Sequence, residues 1–182
     1  MEIIAFESIP IAVLMAGLYT ASIIDFRTHK IPNFLVLLLL LAGIGFQVAM
    51  SGLDGILNAF SGIMVGLLIL FPLFYFGGIG AGDVKLMAAA GAFMNAPLTF
   101  ISILLSVYFA TFIGIFLLFI RGGLRTYVSR YILMAKTSFH TGKLLYIPPK
   151  EGEVARQKFP CAIAIALGCT SALYFADILK LA

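Results

Sequence analysis

The 182-residue chain is 62% hydrophobic and 11% charged, with a mean hydropathy of +1.11 and a formal net charge of +4. Soluble domains carry about a quarter charged residues, so this composition excludes a water-soluble globule and makes lipid the natural solvent. The length fits one membrane domain over residues 1–182, and two cysteines without a CxxC pair exclude a structural zinc module.

A bilayer core takes about 20 apolar residues per helix. On that measure the chain reads as an all-α membrane protein of six transmembrane helices. Glu2 and Glu7 precede the first apolar run, with no Lys or Arg, so that run reads as a retained helix and not as a signal peptide. It covers Ile9 to Ile24. The second runs from Phe34 to Met50 and the third from Ile56 to Phe76. The fourth, Val84 to Ala96, is short and reads either as a helix surrounded by protein or as a re-entrant hairpin. Pro97 separates it from the fifth, Leu98 to Ile120. The sixth runs from Pro160 to Leu179. Gly43, Gly45, Gly62, Gly66 and Gly114 fall within the spans, where small residues allow close helix packing.

Charge sets the orientation. With the end of the first helix in the cytoplasm, loops 25–33, 77–85 and 121–159 are cytoplasmic and hold every Lys and Arg except Lys180. Both termini are then extracytoplasmic. Within loop 121–159, Leu124, Tyr127, Val128, Tyr131, Ile132 and Ala135 recur at helical spacing. This reads as a basic amphipathic helix on anionic membrane lipids or as a solvated connector. Because topology explains the positive charge, nucleic acid is not an expected partner.

Asp25 ends the first helix and Asp83 begins the fourth. Two full spans separate them, so both lie at the cytoplasmic side. Asp54 and Asp177 fall on the opposite side. Asp25 and Asp83 are therefore the aspartates able to meet. Two close carboxylates share a proton. The ionised member can take a proton from an attacking water while the protonated one donates to a peptide carbonyl, and the pair titrates as a unit. No metal or other cofactor is required. With His29 and His140 the only histidines, a metal site has little support.

Gly77, Gly78, Gly80 and Gly82 precede Asp83, and are expected to permit positive φ and close approach of an extended peptide. They also fit a flexible hairpin. The GxxxxGK[ST] spacing of a phosphate loop is absent. Pro32 and Asn33 suit a turn and the start of the second helix. His29 is four residues past Asp25, either near it on a continued helix or simply in the loop. Lys85 reads as a partner of an aspartate or of a substrate carboxylate, or as one more cytoplasmic anchor. Cys161 and Cys169 read as small, buried, lipid-compatible residues.

Asp25 followed by Ile31-Pro32-Asn33, then Gly80-Ala81-Gly82-Asp83-Val84-Lys85 and Phe159-Pro160-Cys161-Ala162, resembles the type IV prepilin peptidases, the GxGD aspartic proteases of membranes. The resemblance covers essentially the whole chain. It implies catalytic Asp25 and Asp83, with Gly80 and Gly82 shaping the site and Lys85, Pro32 and Asn33 as motif members. The implied substrate is a pilin precursor whose short basic leader is removed at the cytoplasmic face of the inner membrane, after a glycine. The segment with paired cysteines that longer members link to N-methylation is absent here, so the form resembles the short peptidases of tight-adherence pili. Archaeal preflagellin peptidases share the motif. Presenilin-like enzymes pair GxGD with YD and PAL motifs, which this chain lacks. Two readings stand outside the resemblance: a small proton- or cation-coupled transporter using the same aspartates, and a non-catalytic scaffold for pilus assembly.

Overall fold

The computed structural model describes residues 2–120, 129, 132, 133 and 161–179, and the described residues are helical apart from short turns. The helices are α1 (Glu2–Thr28), α2 (Asn33–Tyr75), α3 (Ala81–Gly91), α4 (Ala96–Ile120) and α5 (Cys161–Leu179). Three segments are long and apolar enough to cross a membrane: Ile9–Thr28, Asn33–Tyr75 and Ala96–Leu117. Side chains such as Leu41, Phe60, Leu68 and Phe112 are exposed on them, as a lipid environment allows. The chain divides into two units, Met1–Ala110 with Pro160–Ala182, and Thr111–Phe159. The predicted amphipathic helix of loop 121–159 lies outside the described residues, except for helical Ser129, Ile132 and Leu133.

Straight, α2 would be about 65 Å long, twice the thickness of a bilayer core. It is not straight. Gly52 has φ 57 and ψ −128 within it, and a Cβ on Gly55 would collide with the Gln47 carbonyl. Those residues are eight apart and could not touch along one helix. The chain therefore folds back at Gly52 into two arms, matching the two runs expected at 34–50 and 56–76. Both arms reach the same stretch of chain: a Cβ on Gly43 would meet Ala92 and Phe93, and one on Gly62 would meet the Gly91 carbonyl. Gln47 Nε2 also donates to the Phe93 carbonyl at 3.0 Å.

The eleven-residue α3 is the centre of the first unit. Leu86, Met87, Ala89 and Ala90 are fully buried, against α2, α5 and α1. Protein encloses this short helix, as its length requires. It ends at Gly91, earlier than the expected Ala96. A turn over residues 92–95 follows, and Pro97 sits in the first turn of α4, where its missing N–H costs nothing. Asn95 makes that junction: its Oδ1 accepts the Leu98 N–H at 3.1 Å and its carbonyl the Thr99 N–H at 3.0 Å. The break thus belongs to Asn95, and Pro97 opens the next helix.

α1 extends beyond the apolar run at both ends. Its C-terminal extension, to Thr28, carries Asp25 inside the helix. α1 and α5 pack together, with Leu14, Leu18 and Ala166 in their shared core.

Candidate active site

Asp25 is only 7% exposed. Its Oδ2 accepts the backbone N–H of Ala162, in the first turn of α5, at 3.3 Å. A carboxylate at a helix N-terminus meets free N–H groups and the positive end of the helix dipole. Past Asp25 the helix stops at Thr28. His29 turns left-handed at φ 50 and its N–H closes on the Asp25 main-chain carbonyl at 2.8 Å. Its side chain is exposed, as a loop histidine would be.

Asp83 enters from the other direction. α2 ends in a Schellman turn: Gly77 has φ 76, its N–H bonds the Phe74 carbonyl, and the Gly78 N–H bonds the Leu73 carbonyl. Gly80 caps α3 at φ −79 and ψ 151, and donates its N–H to Asp83 Oδ2 at 3.0 Å. Positive φ was expected across these glycines; within the run it occurs only at Gly77. Gly80 and Gly82 are needed for room. A Cβ on Gly80 would lie 3.0 Å from Asp83 Oδ2, and one on Gly82 would lie 3.3 Å from Ile31.

The two motifs are physically joined. Ile31 packs on Gly82, Pro32 caps α2 and Asn33 begins it. Asn33 Oδ1 accepts a hydrogen bond from Lys85 Nζ at 3.2 Å. Lys85 and Asn33 are both exposed.

Asp83 precedes the apolar part of α3. Burial pushes its carboxyl up to about 6, the Gly80 N–H pulls it down, and the Asp25 charge raises it further. The Cys161 thiol donates a hydrogen bond to it. Cys161 is half-buried and feels the charge of both aspartates. Adjacent residues of one helical turn thus meet the two carboxylates, Cys161 meeting Asp83 and Ala162 meeting Asp25. An apolar cavity of about 50 Å³ opens beside Asp83 and Cys161, between Leu70, Met87, Ile103 and Ile165.

Both cysteines were expected to be small, buried, lipid-compatible residues; Cys169 is fully buried, whereas Cys161 is half-buried and beside Asp83. The signal for Cys161 was its position, at the start of the sixth apolar run just after Pro160 and on the same side as both aspartates by span counting. Ser22 is the other missed residue. One turn before Asp25, its hydroxyl reaches the Ala162 carbonyl at 3.0 Å. Asp54 is exposed at the tip of the α2 hairpin, at the far end from Asn33 and Tyr75. Asp177 is at the opposite end of α5 from Cys161. Among the described residues, no three His, Cys, Asp or Glu side chains converge as a metal set.

Chemically, the site offers two carboxyls of unequal environment, one almost sealed and one half-buried. The sequence model of the type IV leader peptidase family matches residues 12–118. A prepilin leader peptidase/N-methyltransferase of Escherichia coli (strain K12) is 42% identical over 81 residues, 40% of this chain and 35% of that protein. The match spans about a third of that relative's length. No solved structure matches the chain.

Proposed function

Since the chain belongs to the type IV leader peptidase family, we propose that it is an aspartic endopeptidase that removes the leader peptide from pilin-like precursors, with Asp25 and Asp83 as its catalytic pair. The observation that carries the reading is the convergence of the two carboxylates on Cys161 and Ala162. Aspartic chemistry needs two carboxyls holding one proton between them. The Asp25 charge felt at Asp83 and the raised Asp83 carboxyl are in keeping with that state.

In this mechanism the ionised carboxylate takes a proton from a water as its oxygen attacks the scissile carbonyl carbon. The protonated carboxyl donates to the carbonyl oxygen. The tetrahedral intermediate then collapses: the newly protonated carboxyl gives its proton to the leaving nitrogen as the C–N bond breaks, and a hydroxyl of the intermediate gives its proton to the other carboxylate, so the pair again holds one proton. Gly80 and Gly82 shape the loop that presents Asp83, and Pro32, Asn33 and Lys85 brace it.

The rest of the reading follows from charge and span counting. One membrane domain of six spans lies in the inner membrane, both termini outside and the aspartates at the cytoplasmic face. The fold-back at Gly52 supports two spans within α2. The substrate is a precursor with a short basic leader and an apolar helix, and anionic lipid meets the basic loop 121–159. Peptidase activity alone is proposed, without N-methylation.

Purified protein incubated with a pilin precursor tests this. Wild type should release the leader, and Asp25→Ala and Asp83→Ala should each reduce cleavage to background. Full cleavage by either variant removes the aspartic mechanism.

A further inference from the structure

Asp25 is not held by its own helix alone. Ser22 lies one turn earlier on α1 and is likewise only 7% exposed. Its hydroxyl is 2.8 Å from the Leu18 carbonyl and 3.0 Å from the Ala162 carbonyl. The first contact is an ordinary back-bond along the helix. The second crosses to α5. One hydroxyl proton serves both oxygens, so Ser22 bridges the two helices.

Ala162 is thereby gripped from both sides. Its carbonyl accepts from Ser22, and its N–H donates to Asp25. The residue before it, Cys161, meets Asp83. A movement of this one turn shifts the donors of both carboxylates together. The helices have other ties: Leu14 and Leu18 in the core, and a Tyr19 Oη–Thr170 Oγ1 hydrogen bond at 3.3 Å. Losing the Ser22 hydroxyl would keep these ties and remove only the hold on the Ala162 carbonyl.

We propose that Ser22 is a positioning residue: it fixes the first turn of α5 through the Ala162 carbonyl, so that the Ala162 N–H and the Cys161 thiol hold Asp25 and Asp83 in their mutual geometry. The inference rests on the aspartic peptidase reading above. Misplacing reacting groups by a fraction of an ångström costs turnover and not ground-state binding.

The test is steady-state cleavage of a pilin precursor by the full-length chain in detergent, comparing Ser22→Ala, Ser22→Cys and Ser22→Thr. Ser22→Ala should lower kcat about tenfold or more with KM within about twofold. Ser22→Thr keeps the hydroxyl and should restore kcat. Ser22 borders a groove of about 440 Å³ between α1 and α5, the side on which a methyl can be accommodated with least displacement. Ser22→Cys, a weaker donor of similar size, should fall between, and it carries the test if the alanine variant does not accumulate. Wild-type kcat in the alanine or cysteine variant overturns the proposal. So does a loss that disappears when rates are normalised to folded protein. A wild-type chain with no cleavage at all would instead sink the peptidase reading, and this inference with it.

Discussion

Lys85 Nζ donates to Asn33 Oδ1 at 3.2 Å, tying the helix that carries Asp83 to the helix that follows Asp25. The two residues are 52 apart in sequence, so the bridge fixes one aspartate-bearing segment against the other. Both partners are exposed, so the bond adds little to stability; its consequence is alignment. Lys85→Met and Asn33→Ala should each lower kcat/KM about three- to tenfold, and the double variant should be no worse than either single one. Additive losses would mean that the residues act separately.

Gly80 and Gly82 should respond differently to alanine. At Gly80 the new methyl meets the Asp83 carboxylate at 3.0 Å and should push aside the group proposed to react. Cleavage should drop on the order of a hundredfold while the protein still folds. At Gly82 the methyl meets Ile31 Cβ at 3.3 Å, so the segment around Ile31 must give only by a few tenths of an ångström. The loss there should be smaller, and Ile31→Gly, which removes that Cβ, should recover part of it. Leader-release rates for the three variants decide the matter.

The pH profile follows from Asp83. Its carboxyl is raised, so the folded chain keeps that proton until about pH 6. On the proposed aspartic mechanism, the pair holds the proton it needs below that pH and loses it above. The rate of leader release should therefore fall with an alkaline limb beginning near pH 6, roughly tenfold per pH unit. By linkage, the favourable contribution of Asp83 to folding is also lost as pH rises through that value. A rate rising through pH 6–8 would assign the essential proton elsewhere.

Backbone meets backbone where α2 crosses α3. A Cβ on Gly62 would collide with the Gly91 carbonyl, whereas one on Gly45 has open space around it. Gly62→Ala should cost about 1–3 kcal/mol of stability, and Gly45→Ala should cost nothing measurable. Thermal unfolding in detergent, compared between the two, checks this.

Much of this arrangement was legible in the chain. Counting apolar runs brought Asp25 and Asp83 to one side and sent Asp54 to the tip of a hairpin, because a bilayer allows only whole crossings. Proline and asparagine announced the start of α2 where it occurs. The glycines of the Asp83 loop were legible as necessary, but the reason was not. Their φ angles depend on the exit from α2, and the space they leave depends on Ile31 and on the Asp83 rotamer. The end of α3 was misjudged because alanine suits both a helix interior and the turn that follows Gly91. Ser22 and Cys161 carry no motif. Their contacts are with residues about 140 and 80 positions away, Ala162 and Asp83, and a one-dimensional reading has no measure of such meetings.

The grip on Ala162 sets an order of events in biosynthesis. Asp25 and Asp83 leave the ribosome early, yet the turn that holds both belongs to a helix made about 80 residues after Asp83. A nascent chain carries both acids without their clasp, so on the proposed peptidase reading proteolytic competence should arrive only when α5 inserts. Chains released before Cys161 should accumulate as inert precursors, and α5 supplied as a separate polypeptide should switch them on.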